Sequence, residues 1–174
     1  MAKTRFVALK FAVYAAVALL LTVVQNTPGL LLIGSAKPML TAAFAIAVAM
    51  FEGELAGAFA GAFGGFLCDL FSYYRFGYYA LMLFICCLMV GLLVQGYMRP
   101  VVMNCCLFTF LAMLAAQGVA FFFLFLIRGY EGTNILFLSR MLPLCIYTAA
   151  AAVPAFLAVR WLHQRFQRLI YPAE

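Results

Sequence analysis

Long apolar segments are the feature that most constrains this chain. Six of them alternate with short polar or proline-containing breaks, at 6–24, 30–51, 53–70, 78–96, 101–127 and 138–161. A membrane-spanning helix needs about 20 predominantly apolar residues. Because 69% of the 174 residues are hydrophobic, well beyond the usual share in a water-soluble domain, the sequence predicts an all-α integral membrane protein. We expect six transmembrane helices in a single polytopic domain.

The second apolar segment is interrupted near its start by Lys37 and Pro38. Proline disfavours helix at the preceding residue and removes a backbone hydrogen bond. We therefore expect a short interfacial or re-entrant piece before this point, and a helix over 38–51 that is only about 21 Å long. The hydrocarbon core is about 30 Å thick, so this helix needs the preceding piece, tilted neighbours or local bilayer thinning.

Glycines recur along the third segment and form one small-residue band that winds round the helix. They are Gly53, Gly57, Gly61, Gly64 and Gly65. Residues four apart lie on adjacent turns, and in lipid such a band lets another backbone approach closely. Two interpretations follow, since the band can pack against helices of the same chain or against a partner protein.

Asp69 follows the glycine band and is the single aspartate of the chain. A carboxylate at this depth in a membrane segment is a functional candidate. Tyr73, Tyr74 and Arg75 come next, in an aromatic loop suited to a headgroup interface. Asp69 is predicted to be a polar anchor that accepts hydrogen bonds from loop amides or meets Arg75; alternatively, the four residues line an external pocket.

Residues for catalysis or metal binding are sparse. Glu52 and Glu54 precede Asp69 by 17 and 15 residues on one helix, or roughly 22–26 Å, too far for a paired-carboxylate site. His163 is the single histidine and lies in a basic, aromatic tail at 160–171, which predicts an interfacial anchor. The sequence therefore predicts no enzyme, no cofactor and no metal site. The net charge of +6 favours anionic membrane lipid over nucleic acid.

Basic residues indicate the orientation. With six spans both termini share one side, and that side carries seven of the eleven basic residues: Lys3, Arg5, Lys10, Arg99, Arg160, Arg165 and Arg168. The excess of basic residues predicts that both termini are cytoplasmic. We expect the first segment to be a retained helix rather than a signal peptide, because no convincing cleavage pattern follows it.

One family shares the pattern of polar and small residues between Gln25 and Leu81. The pattern comprises Gln25 and Pro28, then Lys37-Pro38, then G-A-F-G-G-F-L-C-D-L over 61–70, and then Gly77 with Ala80-Leu81. It resembles the bacterial rod shape-determining MreD family. Members often have G-L-L-L-D where this chain has Gly65-Phe66-Leu67-Cys68-Asp69, so the glycine and the aspartate match and the apolar residues between them differ.

The resemblance implies a fold similar to the S-component of energy-coupling-factor transporters. It implies a non-enzymatic scaffold of the cell-elongation complex in the bacterial cytoplasmic membrane, supporting cell shape and lateral peptidoglycan synthesis. The expected partners are an MreC-type single-span protein and, through it, the MreB filament and the RodA–transpeptidase synthase. Whether the chain also forms a homo-oligomer is left open by the sequence. The alternative is a small-molecule (vitamin-like) binding membrane subunit of a transporter.

Overall fold

The computed structural model describes residues 2–27, 37–71, 76–123 and 141–170. Within these ranges the secondary structure is entirely helical. The helices of the described ranges are α1 (Ala2–Asn26), α2 (Leu40–Glu52), α3 (Glu54–Leu70), α4 (Tyr78–Gly96), α5 (Val102–Phe121) and α6 (Leu142–Ile170). The prediction of an all-α protein is confirmed.

Four of the helices are long and apolar enough to cross a membrane. These candidate spans are Arg5–Asn26, Tyr78–Gly96, Val102–Phe121 and Leu142–Arg168. Large apolar side chains such as Leu20, Leu81 and Leu107 are more than half exposed, which suits contact with lipid rather than water. The chain is therefore a multi-pass helical membrane protein.

Helix α2 is the centre of the bundle. It contacts each of the other described helices, and every residue from Thr41 to Met50 is buried. A helix that is apolar all round is buried either in protein or in lipid, and here the other described helices cover it. The short second helix expected from the sequence thus has protein on its sides, so its length need not match the thickness of the lipid.

Helices α2 and α3 form a hairpin whose turn is the single residue Gly53. Its φ of 89° and ψ of −175° lie in a region that is essentially restricted to glycine. A Cβ at this position would also collide with the Gln95 side chain of α4. Glycine is therefore required here by the backbone conformation, since the terminal amide of the flexible Gln95 side chain can move aside.

The last helix corrects the sequence prediction. It runs to Ile170, beyond the predicted end at 161, so the basic tail continues the helix. Pro143 lies in its first turn, where the missing N–H costs little, whereas Pro154 lies inside the helix.

Some predictions concern residues outside the described ranges. They are the short piece before Lys37, the loop residues Tyr73, Tyr74 and Arg75, and the end of the fifth helix with the following polar loop.

Candidate functional site: two polar centres joined by a glycine face

Glycines on α3 bring this helix into backbone contact with two neighbours. A Cβ on Gly57 would lie 2.5 Å from the Cα of Ala49 in α2, and one on Gly61 would lie 2.5 Å from the carbonyl oxygen of Leu83 in α4. Real Cβ atoms do not approach that closely, so neither position has room for a side chain. At these positions the band packs inside the chain, which is the first of the two interpretations left open by the sequence.

The adjacent glycines Gly64 and Gly65 differ in the space around them. A Cβ on Gly65 would collide with the Tyr79 carbonyl and lie 2.5 Å from the Cα of Ala80. A Cβ on Gly64 would lie 3.4 Å from side-chain carbons of Ala45 and Thr41, which is an ordinary contact. The strict requirement for glycine therefore applies to Gly57 against α2 and to Gly61 and Gly65 against α4. These three residues and Gly64 are called the glycine face below.

Asp69 caps the N-terminus of α4. Its Oδ1 accepts a hydrogen bond from the Tyr79 amide and its Oδ2 accepts one from the Ala80 amide, both at 3.0 Å. The residue is buried, with 2% of its surface exposed. These two amides belong to the first turn of α4, where N–H groups have no partner in the helix, and the positive end of the helix dipole favours an acidic group.

The structure thus places Asp69 against backbone amides, but these amides belong to the first turn of α4 and not to the loop named in the sequence prediction. The alternative partner, Arg75, lies outside the described ranges. Gly77, at the start of α4, has a left-handed conformation and provides no side-chain cap. The cap comes instead from α3, and it fixes the α3–α4 pair. Each carboxylate oxygen accepts one of these hydrogen bonds.

Tyrosines beside the cap tie α4 to α5. The Tyr78 hydroxyl donates a hydrogen bond to the Ala116 carbonyl. Gln117 donates a hydrogen bond to the Tyr79 hydroxyl at 3.3 Å. Three helices are therefore joined at this end of the bundle.

The second polar centre surrounds Glu52, at the opposite end of α3. Lys10 lies 2.6 Å from the carboxylate, the Tyr14 hydroxyl donates to Oε1 at 2.8 Å, and His163 Nδ1 lies 2.7 Å from Oε1. The Glu52 carboxylate is ionised in its pair with Lys10 and can only accept hydrogen bonds. His163 Nδ1 is therefore the donor in this contact. The Glu52 cluster, defined as these four residues, joins α1, α2 and α6.

Burial and hydrogen bonding act in opposite directions on Glu52. Burial disfavours the charged form, but hydrogen bonds from Lys10, His163 and Tyr14 outweigh it and hold the pKa of the Glu52 carboxyl below its ordinary value. Glu52 is the last residue of α2, at the turn into α3 and outside the candidate spans. Its charge is thus stabilised in the folded protein.

The position of His163 corrects its interpretation as part of an interfacial anchor. Its ring stacks near Phe51, with centroids 5.4 Å apart, and its side chain is 18% exposed. Sequence reasoning also missed Lys10 and Tyr14 as members of the cluster. Their spacing of four residues on one helical face was a signal, but the partners lie 42 and 38 residues away.

A further buried set of polar groups joins α1 to α2. The Thr22 and Thr41 hydroxyls lie 3.1 Å apart, and Gln25 Oε1 accepts hydrogen bonds from the amide and hydroxyl of Thr41 at 3.3 Å. Lys37 donates to the Asn26 side chain at 3.1 Å. These contacts hold the start of α2 beside the end of α1.

An apolar groove opens between α1, α2 and α3. Its volume is about 330 Å³, and its lining includes Phe11, Ala18, Phe44, Phe59 and Phe63. Tyr14 and Gly64 also reach it, so it lies between the glycine face and the Glu52 cluster. It differs in position from the external pocket predicted around Asp69. The predicted lining residues Tyr73, Tyr74 and Arg75 lie outside the described ranges.

The described ranges contain no group of three or more His, Cys, Asp or Glu side chains that could hold a metal ion. No family model, curated protein or solved structure matches this chain at a significant level. The fold and the two polar centres define a multi-pass helical membrane protein whose buried polar groups connect its helices.

Proposed function

We propose that this chain is an MreD-like, non-enzymatic scaffold of the bacterial cell-elongation complex. It would have six transmembrane helices in an S-component-like arrangement and bind an MreC-type single-span protein in the cytoplasmic membrane. Through that partner it would support the MreB filament, the RodA–transpeptidase synthase and lateral peptidoglycan synthesis.

One observation carries the proposal: the polar residues that make up the resemblance hold neighbouring parts of this chain together. Gln25 bonds Thr41, Lys37 bonds the end of α1, and Asp69 caps α4. A carrier or enzyme needs polar groups that reach a substrate or an ion path. In this chain the polar side chains bond neighbouring helices instead, which suits a rigid protein that binds partners through its surface.

The proposed topology has support from the Glu52 cluster. Contacts of Lys10 and His163 with Glu52 bring the N-terminal half of α1 and the C-terminal half of α6 to the same end of the bundle. That arrangement fits an even number of spans with both termini in the cytoplasm. Reporter fusions at Met1 and Glu174 should both report a cytoplasmic position, and opposite reports would contradict the six-span topology.

A transporter subunit that binds a small molecule is the second candidate, and the apolar groove favours it. Its volume of about 330 Å³ is at the lower end of the range of small-molecule sites. The lining residues are mostly aromatic or small and apolar, so the groove suits an apolar ligand better than a charged one.

Co-purification separates the two candidates. The chain is co-expressed either with an MreC-type single-span protein or with the ATPase pair and transmembrane subunit of an energy-coupling-factor transporter. The scaffold proposal expects co-elution with the single-span protein, and rescue of rod shape in a host depleted of its own MreD-family protein. Co-elution with the transporter subunits alone, without rescue of shape, would reject it.

A further inference from the structure

The C-terminal turns of α6 carry a cationic pocket at the surface. Trp161, Arg165 and Arg168 follow at intervals of four and three residues, so they lie on one face of the helix. Together with Gln164 they line a pocket of about 250 Å³. This pocket, called the α6 pocket below, is separate from the glycine face and from the Glu52 cluster.

The α6 pocket carries positive charge that no described residue pairs with. Among the described residues, salt bridges are formed by Lys10 and His163 with Glu52, and neither Arg165 nor Arg168 takes part in one. The Arg165 guanidinium lies over the Trp161 ring, 5.3 Å from its centroid. Stacking of this kind uses the face of the guanidinium and leaves the in-plane N–H donors available for an oxyanion.

The depth of the pocket fits the phosphate layer of a membrane. Arg165 and Arg168 lie two and five residues beyond His163 on α6, or about 3 Å and 7.5 Å further along the helix axis. Trp161 is 58% exposed, and exposed tryptophans concentrate at the headgroup level. The arginines therefore lie outward of the tryptophan, where lipid phosphates are found.

An apolar track extends from the pocket toward the middle of α6. Leu157 and Val153 precede Trp161 by four and eight residues and are 52% and 38% exposed. A cationic pocket above exposed aliphatic side chains on nearly the same helical face has the shape of a phospholipid, with a charged head and an apolar tail.

We propose that the α6 pocket binds the phosphodiester headgroup of one anionic phospholipid, such as phosphatidylglycerol. Arg165 and Arg168 donate hydrogen bonds to the phosphate oxygens, Gln164 bonds the glycerol end of the headgroup, and an acyl chain lies along Leu157 and Val153. Free phosphate esters share the headgroup chemistry but lack the chain, so the apolar track favours the lipid. This proposal does not depend on the MreC-type partner.

Native mass spectrometry of the full chain in detergent tests the site. Phosphatidylglycerol, phosphatidylcholine and glycerol 3-phosphate are titrated separately against the wild type, Arg165→Gln, Arg168→Gln and the control Arg99→Gln. Arg99 is also an exposed arginine of the described chain, and it lies outside the pocket. A hydrogen bond to a charged group contributes about 1.5–3 kcal/mol, so each pocket variant should bind phosphatidylglycerol at least about tenfold more weakly.

The expected pattern is preference for phosphatidylglycerol over both other ligands, weakened by the two pocket variants and unchanged in Arg99→Gln. Equal binding of phosphatidylcholine would overturn the proposal, as would equal loss in the control. Equal affinity for glycerol 3-phosphate would show that the pocket is a phosphate site without lipid specificity, and it would overturn the proposal. If the pocket variants keep lipid affinity but lose a co-purifying acidic protein, the pocket is a protein interface and the lipid proposal is wrong.

Discussion

The Asp69 cap gives a quantitative prediction about stability. Replacement of Asp69 by alanine leaves the amides of Tyr79 and Ala80 without their carboxylate partner, in a site where the aspartate is 2% exposed. Each buried donor left unsatisfied costs about 1–3 kcal/mol. With two donors affected, Asp69→Ala should lower the free energy of unfolding by about 2–6 kcal/mol.

Asparagine should have a smaller effect at the same position. Its side-chain oxygen still accepts a hydrogen bond from one of the two amides, while its NH₂ group faces the other donor. The interaction of a negative charge with the N-terminus of α4 is also lost, at a cost of up to about 2 kcal/mol in a partly buried site. Asp69→Asn should therefore be less stable than the wild type and more stable than Asp69→Ala.

Equilibrium unfolding in mixed detergent micelles, followed by circular dichroism, measures the free energy of unfolding of the wild type and the two variants and so gives their order of stability. The order in cell-shape rescue should be the same, because the cap acts through the structure. If Asp69→Ala were as stable as the wild type, the cap would not hold α4. If Asp69→Asn abolished rescue while stability and partner binding stayed at the wild-type level, a proton-coupled role would replace the structural one.

Three further predictions concern the glycine face and the Glu52 cluster. Gly65→Ala should destabilise the protein by about 1–3 kcal/mol through overpacking against α4. At the neighbouring position, Gly64→Ala has room for the methyl group and gains helix propensity. Thermal unfolding compares the two variants, and equal destabilisation would contradict the Cβ geometry. Glu52→Gln should lower stability at neutral pH, because Lys10 loses its charged partner in a mostly buried site; a neutral effect would show that the cluster is dispensable. The depressed pKa of Glu52 gives stability that is present above the unfolded pKa of about 4.3 and is lost as pH falls through the folded value. Acid should therefore destabilise the wild type more than Glu52→Gln. Parallel curves of stability against pH for the two proteins would refute that linkage.

The sequence determined the class of the protein and most of its helices. Apolar runs and the signals that end them, such as Pro100 before α5, are local properties, and they predicted an all-helical membrane chain. The glycine spacing likewise predicted a close approach of backbones. These inferences needed no knowledge of what lay beside each helix.

Tertiary structure alone decided which surfaces meet. The short α2 lies at the centre because the other described helices pack around it, and its sequence has no charged residue before Glu52. Glu52 and His163 are 111 residues apart in sequence, so no local pattern pairs them. The sequence offered loop amides or Arg75 as partners of Asp69, whereas the docking of α4 against the glycines of α3 brought the helical amides of Tyr79 and Ala80 to its carboxylate. Hydropathy describes how one segment interacts with its solvent, whereas partner choice depends on distances between segments that only the folded bundle defines.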